Sequence, residues 1–152
     1  MSQSAAGPDT AAEVGEAFEP GRPTRSALAA VRPHAGPALR VFFRLAEAWD
    51  LTSEEQRALL GQPAKTTFYR WRHGETGAVT VDLMERLSHL LAIYGALHSL
   101  YLEHGRADAW IRRPNDAPLF GGRAPLDRLL GGRVADLYEV RRYLEAAAEP
   151  AF

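Results

Sequence analysis

Residues 110–130 read WIRRPNDAPLFGGRAPLDRLL, and the helix breakers in this stretch divide the second half of the chain into short helices. Pro114, Pro118 and Pro125 each lack a backbone donor, so one continuous helix cannot cross the stretch. The Gly121-Gly122 pair gives the backbone freedom to turn. The pattern therefore predicts a short helix, a rigid loop and a second helix that begins at Pro125, where a missing donor costs nothing.

The same stretch carries three large apolar side chains, Trp110, Leu119 and Phe120. A plain connector does not need such groups, whereas a surface that keeps a fixed shape for a partner does. The alternative is an ordinary helix-loop-helix whose aromatic residues fill its own core. Spacing alone leaves both interpretations open, and the first makes the loop a candidate binding surface.

Length and composition limit the class of protein. The 152 residues, 46% of them hydrophobic, suit one compact domain or a small domain with a short module. A net charge of −1 means that any basic surface for nucleic acid must be local. The absence of cysteine excludes disulfides and a catalytic thiol. Because there is no apolar signal core and no run long enough to span a bilayer, we expect a cytoplasmic protein without membrane contact.

The first 31 residues are rich in Ala, Gly, Pro and Ser. Before Arg22 their only charges are acidic and belong to Asp9, Glu13, Glu16 and Glu19. This composition predicts a mostly disordered, solvated tail. The alternative is an acidic arm that competes with DNA for a basic surface.

Two helices are predicted before Gly61. The first covers residues 37–49 and buries a stripe at helical spacing, formed by Phe42, Leu45, Ala46 and Trp49. Thr52 and Glu55 form a capping box at the start of the second. Gly61 is placed to end that helix in a left-handed conformation.

A third short helix is predicted from Ala64 to His73, closed by Gly74. Two short helices joined by a tight turn are typical of a helix-turn-helix. Ala64, Phe68 and Trp71 share the side that would pack inward, and no acid occurs between residues 62 and 73.

The opposite side of this helix is cationic and bears hydroxyl groups, which can neutralise phosphates and reach base edges. The alternative is a solvated basic face on a core helix, which the preceding turn and the unbroken positive sign disfavour. The candidate DNA-binding residues are Gln62, Lys65, Thr66, Thr67, Tyr69, Arg70 and Arg72.

Thr80 is placed to cap a long helix. Along this helix apolar residues recur at spacings of four and three, at Leu83, Leu87, Leu90, Tyr94, Leu97 and Tyr101. Such a seam suits a dimer interface. Met84, Leu91 and Leu100 widen the stripe, which favours the central core helix of a bundle, although both can hold together.

A last helix is predicted from Val134 to Ala148, with five inward positions at Val134, Leu137, Val140, Leu144 and Ala148. Gly131-Gly132 separates it from the helix that begins at Pro125.

Several motifs resemble the Xre/MbcA/ParS antitoxin family. Trp-x-x-x-Pro-Asn from Trp110 and Phe-Gly-Gly-Arg-x-Pro-Leu-x-x-Leu-Leu from Phe120 resemble its toxin-binding domain. The sequences at residues 59–61 and 67–71 resemble its Xre-like helix-turn-helix module. The likeness continues at residues 84–88, 91–98 and 140–144.

The resemblance implies an all-α type II antitoxin. After the tail that composition predicts at residues 1–31, the resemblance implies a helix-turn-helix domain at 32–77 and a small helical toxin-binding domain at 78–152 built on one long helix. The implied partner is a RES-domain toxin that depletes NAD and whose active site the antitoxin covers. The helix-turn-helix would repress the chain's own operon, and a homodimer would form within a larger complex.

The toxin-facing residues implied by the resemblance are Trp110, Arg112, Arg113, Pro114, Asn115, Phe120, Gly122, Arg123, Pro125, Leu126, Arg141 and Arg142. Phe152 is a weaker candidate. A toxin site that accepts NAD must accept pyrophosphate, and guanidinium groups match such oxygens or nearby carboxylates in bidentate fashion. We therefore hypothesise that arginines of this set enter or border the toxin site.

No catalytic or metal-ligating set is predicted. Glu85 and His89 lie one turn apart, but the second Glu-x-x-His pair of a di-iron bundle is missing, and His89 is expected at a helix surface or core edge. We expect neither an enzyme nor a cofactor. One alternative is a plain dimeric repressor in which residues 110–130 serve self-association. Another is an adaptor whose helix-turn-helix has lost DNA binding.

Overall fold

The computed structural model describes the backbone of residues 25–149 and the side chains of residues 35–149, and in this part the secondary structure is entirely helical. Its helices are α1 (Arg25–Ala48), α2 (Ser53–Leu59), α3 (Lys65–Arg72), α4 (Val81–Leu100), α5 (His104–Ala109), α6 (Pro125–Leu129) and α7 (Val134–Ala148). A 3-10 turn covers Trp110–Arg112. The predicted all-α fold, with a helix-turn-helix followed by a helical domain on one long helix, is confirmed.

Helix α1 is longer than predicted. It begins at Arg25, so the prediction that residues 25–31 belong to a disordered tail is wrong, as is a helix start near Pro37. The run before Pro33 is rich in Ala, a strong helix former, and the two prolines each remove one donor without ending the helix. Residues 1–24, with the candidate acidic arm, and Phe152 lie outside the described residues.

Helix α4 forms the centre of the fold and packs mainly against α1 on one side and α7 on the other. Leu83, Leu87, Leu90 and Leu97 are at most 3% exposed, and Tyr94 and Tyr101 pack against the same core at its edge. The seam is therefore the core of a single chain. Its leucines leave no surface for a dimer, which corrects the dimer-interface interpretation at these positions.

The predicted capping and turn signals are present at the ends of several helices. The Thr52 side chain accepts a hydrogen bond from the Glu55 amide at 3.1 Å, and the Glu55 carboxylate accepts one from the Thr52 amide at 2.9 Å. Thr80 caps α4 through the Leu83 amide, and Pro125 occupies the first turn of α6. Gly61 has a φ of +88°.

Two predicted inward positions are exposed instead. Ala64 is the residue before the first turn of α3, and Ala148 is the last residue of α7. Both residues stand at a helix end that lies outside the core. Buried as predicted are Phe68, Leu137, Val140 and Leu144.

Arg86 of α4 joins the two halves of the molecule. It is buried, its Nε donates to Asp82 Oδ2 at 2.8 Å, and its Nη1 donates to the carbonyl oxygen of Gly132 at 2.7 Å. A Cβ atom built on Gly61 would lie only 2.9 Å from Arg86 Nε. The turn after α2 and the segment before α7 thus meet at one guanidinium group.

We predict that Gly61→Ala destabilises the fold more than Gly74→Ala does. Gly74 has a φ of +91° with nothing within 4 Å of a built Cβ, so its variant meets only the left-handed backbone cost, about 1 kcal/mol. The Gly61 variant must also displace Arg86, so its free energy of unfolding should fall by about 3 kcal/mol. Urea unfolding of both variants measures the difference, and equal losses would contradict the close contact with Arg86.

Candidate functional site

The helix-turn-helix is held rigid by side chains of α2. Arg57 donates through Nε and Nη2 to the carbonyl oxygen of Pro63, each at 3.0 Å, and contacts Glu54 at 3.2 Å. Gln56 is buried and its Nε2 donates to the carbonyl oxygen of Leu51 at 2.9 Å. These bonds fix both the start of α2 and the turn that leads into α3.

Helix α3 buries one side and exposes the other. Phe68 is fully buried and meets Phe43 of α1 edge to face, with ring centroids 5.8 Å apart. Trp71 is buried and its Nε1 donates to the carbonyl oxygen of Thr76 at 3.0 Å. The inward anchors predicted at these two positions thus orient the opposite side towards solvent.

The predicted DNA-binding side chains lie on that solvent-facing side of α3 and on the turn before it. Thr67 is half-buried, and the exposed members are Gln62, Lys65, Thr66, Tyr69, Arg70 and Arg72. Arg72 Nη1 also donates to Ser53 Oγ at 3.3 Å, and its guanidinium lies 6.0 Å from the centroid of the Phe68 ring. Arg72 is therefore partly committed within the chain, whereas Lys65 and Arg70 make no described ion pair.

The loop between the 3-10 turn and α6 closes on itself. The Asn115 amide donates to the carbonyl oxygen of Arg123 at 3.1 Å, and the Gly122 amide donates to that of Asn115 at 2.8 Å. Asn115 Oδ1 accepts from the Ala117 amide at 2.9 Å. Gly121 and Gly122 both have positive φ, which makes the reversal possible. These hydrogen bonds give the loop a closed shape between the 3-10 turn and α6.

The aromatic residues of this region lie under the loop. Trp110 and Phe120 are 9% and 6% exposed, and both contact the ring of Tyr143, with centroid distances of 6.3 and 5.3 Å. Pro125 and Leu126 are also buried. The prediction that these four side chains face a partner is corrected, because burial of their apolar area already gives them a supporting role within the chain.

The remaining predicted toxin-facing residues divide by exposure. Asn115 and Arg141 are half-buried, and the exposed residues are Arg112, Arg113, Pro114, Gly122, Arg123 and Arg142. Arg123 Nε lies 3.4 Å from Asp127, and Arg141 Nε donates to Glu145 Oε2 at 3.2 Å. Arg113 makes no side-chain hydrogen bond or ion pair with a described residue.

Arg112 does not project freely from the loop. Its Nε donates to the carbonyl oxygen of Trp49 at 3.0 Å and its Nη2 to that of Asp50 at 2.8 Å. Glu55 lies 3.7 Å from Nη2. Two of its nitrogens are therefore engaged by the corner between α1 and α2, so this guanidinium is held against the helix-turn-helix domain, although its side chain is exposed.

Arg128 is a supporting residue that the sequence did not reveal. Its Nη1 donates to the carbonyl oxygen of Leu119 at 3.1 Å, while its Nη2 contacts Glu139 and Asp136 of α7. It therefore fastens the loop to α7. No local spacing could have identified it, because its partners lie on other elements.

His89 lies on the side of α4 that meets α7. It is 8% exposed, its Nδ1 is 3.3 Å from Arg141 Nη1, and its Nε2 is 3.8 Å from Glu85. Burial lowers the pKa of His89, and the positive charge of Arg141 lowers it further. A neutral ring can accept the hydrogen bond from Arg141, so His89 helps to position that arginine.

Among the side chains of residues 35–149, no group of three or more His, Asp or Glu is arranged to hold a metal ion. None of the helices described there is long and apolar enough to cross a membrane.

Comparison with known proteins identifies both halves of this architecture. Residues 33–92 match the antitoxin Xre-like helix-turn-helix domain, and residues 97–149 match the antitoxin Xre/MbcA/ParS C-terminal toxin-binding domain. The chain is also 48% identical, over 108 residues, to "Uncharacterized protein y4oB" from Sinorhizobium fredii, covering 71% of this chain and 81% of that protein. No solved structure matches it.

A helix-turn-helix joined to a toxin-binding domain defines an antitoxin, a protein that binds DNA through one module and a toxin through the other. The chain belongs to the Xre/MbcA/ParS antitoxin family.

We predict that His89 makes the fold less stable in mild acid. Above about pH 6.5 the ring is neutral in both states, whereas below this the unfolded chain takes up a proton more readily than the folded one, so the free energy of unfolding falls. His89→Gln should reduce the loss of stability between about pH 7.5 and pH 5.5 in urea unfolding. An unchanged pH dependence in this variant would contradict the role of His89.

Proposed function

We propose that this antitoxin neutralises a RES-domain toxin that depletes NAD in the cytoplasm, and that it does so by covering the toxin's active site. It also represses its own operon through α3 and the preceding turn. The observation that carries the toxin half is the self-closed loop of residues 113–124. Such a preformed loop lowers the entropic cost of ordering the backbone on binding.

Exposed positive charges indicate which residues of the loop and of α7 contact the toxin. Arg113 and Arg123 are exposed on the loop, and Arg142 is exposed on α7. Arg113 makes no side-chain hydrogen bond or ion pair with a described residue. Guanidinium groups pair with carboxylates in bidentate fashion, so exposed arginines suit carboxylates at the rim of a toxin site. These three arginines are therefore our toxin-facing candidates, with Pro114, Asn115 and Gly122 shaping the surface and Arg141 held beside it.

The DNA half rests on the exposed side of α3. Lys65 and Arg70 supply charge for phosphates, and Gln62, Thr66 and Tyr69 supply polar groups for base edges. Thr67 and Arg72 border this surface. A homodimer, if two half-sites are bound, must use a surface other than the buried leucines of α4.

Co-purification tests the pairing with a toxin. The chain is tagged, expressed with the open reading frames adjacent to its gene, and purified in high salt. Recovery of a protein whose NAD-consuming activity is silent in the complex and appears on dissociation supports the proposal. Recovery of a homodimer alone that still binds its promoter would instead favour a plain repressor and would assign residues 110–130 a structural role.

We predict that Lys65→Ala and Arg70→Ala each weaken binding to the chain's own upstream DNA. Loss of one phosphate contact should reduce the slope of log affinity against log salt by about one. Arg106→Ala, which removes an exposed arginine of α5, is the matched control and should leave the slope unchanged. Fluorescence anisotropy over a range of salt concentrations measures this, and an unchanged slope in both α3 variants would exclude these two residues as phosphate contacts.

A further inference from the structure

Arg112 and Arg113 are neighbours in sequence and both are exposed, but their guanidinium groups differ in the contacts they make. Arg113 is exposed without a described partner, whereas the Arg112 guanidinium spans two carbonyl oxygens just beyond α1, at 3.0 and 2.8 Å. Carbonyls at a helix C-terminus lack intrahelical partners, and a cation there is favourable. Arg112 thus connects the start of the toxin-facing loop to the end of α1.

The connection falls on the corner between α1 and α2. Asp50, whose carbonyl oxygen is one of the two acceptors, has a φ of +54°, an unusual conformation that reverses the chain towards α2. Glu55 lies 3.7 Å from Arg112 and also accepts the Thr52 amide in the capping box of α2. Arg112 therefore contacts both sides of the corner that sets the direction of α2.

The direction of α2 in turn sets the position of α3. Arg57 of α2 holds Pro63 in the turn before α3, and Ser53 of α2 accepts a hydrogen bond from Arg72 at the other end of α3. A movement of the corner would displace the DNA-facing side of α3 while the helix itself stays intact. Contacts to DNA depend on register to a fraction of an ångström.

The loop, by contrast, keeps its shape through contacts that do not involve the Arg112 side chain. Its backbone closes between Asn115 and Arg123, Arg128 holds Leu119, and the Trp110 and Phe120 rings lie beneath it. Removal of the Arg112 guanidinium therefore leaves the candidate toxin surface in place.

We propose that Arg112 is a positioning residue for operator binding, contributed by the toxin-binding domain. This inference rests on the proposed function. It divides two adjacent arginines between two partners: Arg112 orients the helix-turn-helix for DNA, and Arg113 faces the toxin. The DNA-binding module is thereby oriented by the same segment that the toxin contacts.

The test compares Arg112→Ala with Arg113→Ala in the full chain. Operator affinity is measured by anisotropy with the upstream DNA, and toxin affinity by calorimetry with the co-purified toxin. Arg112→Ala should lower operator affinity about tenfold, as expected for lost charged hydrogen bonds, and change toxin affinity less than about threefold. Arg113→Ala should show the reverse pattern.

Salt dependence separates positioning from direct contact. Because Arg112 does not touch phosphate in this inference, Arg112→Ala should keep the salt slope of operator binding, whereas Lys65→Ala lowers it. Arg112→Lys should restore only part of the affinity, since one ammonium group cannot span two carbonyls as the planar guanidinium does.

Glu55→Gln keeps the proposal testable if Arg112→Ala fails to fold. A glutamine side chain can still accept a hydrogen bond from the Thr52 amide, so the helix cap stays intact. The substitution removes the negative charge beside Arg112, and operator affinity should therefore fall about threefold. The inference is overturned if Arg112→Ala leaves operator affinity unchanged, or if it lowers operator and toxin affinity equally. If Arg112→Ala does not fold, unchanged operator affinity in Glu55→Gln overturns the inference. If the unmodified chain binds operator but no toxin, the toxin half of the proposed function fails while operator affinity still decides the role of Arg112.

Discussion

The burial of helix α4 is the constraint on which the rest of the structure depends. Its leucines at positions 83, 87, 90 and 97 are almost fully removed from solvent, and each contributes about 1.5–3 kcal/mol relative to exposure. Helix α1 covers one side and α7 the other. Because one helix supplies the core for both halves, the DNA-binding and toxin-binding modules share a common hydrophobic centre.

Arginine side chains connect the segments that surround this core. Arg57 holds the turn before α3, Arg86 joins the turn after α2 to Gly132, Arg112 reaches the end of α1, and Arg128 fastens the loop to α7. Each donates to at least one backbone carbonyl oxygen. A guanidinium group suits this task because its planar array of donors can span two acceptors and is always charged. The arginines thus have two roles in this protein: some orient the binding surfaces from within, and others form them.

The candidate DNA-binding and toxin-binding surfaces have the same arrangement of side chains. In each, large apolar side chains are buried beneath a short segment whose exposed side is polar or cationic: Phe68 and Trp71 lie under the DNA-facing side of α3, and Trp110 and Phe120 lie under the loop. The apolar groups supply rigidity, and the exposed groups remain for a partner. This separation explains why the aromatic residues of the loop were prominent in the sequence and yet have a supporting position in the structure.

Local patterns in the sequence determined the helices, because their causes are local. The capping box at Thr52, the left-handed Gly61, the stripe of α1 and the start of α6 at Pro125 each depend on residues within one or two turns. The start of α1 was missed because strong helix formers continue it through two prolines. Only the tertiary structure decided which arginines donate to backbone carbonyl oxygens of distant segments. Arg112 and Arg113 are indistinguishable by spacing, and the acceptors of Arg112 lie 63 and 62 residues away in sequence. Whether a side chain forms a surface or supports one depends on contacts between elements distant in sequence, and local periodicity does not encode those contacts.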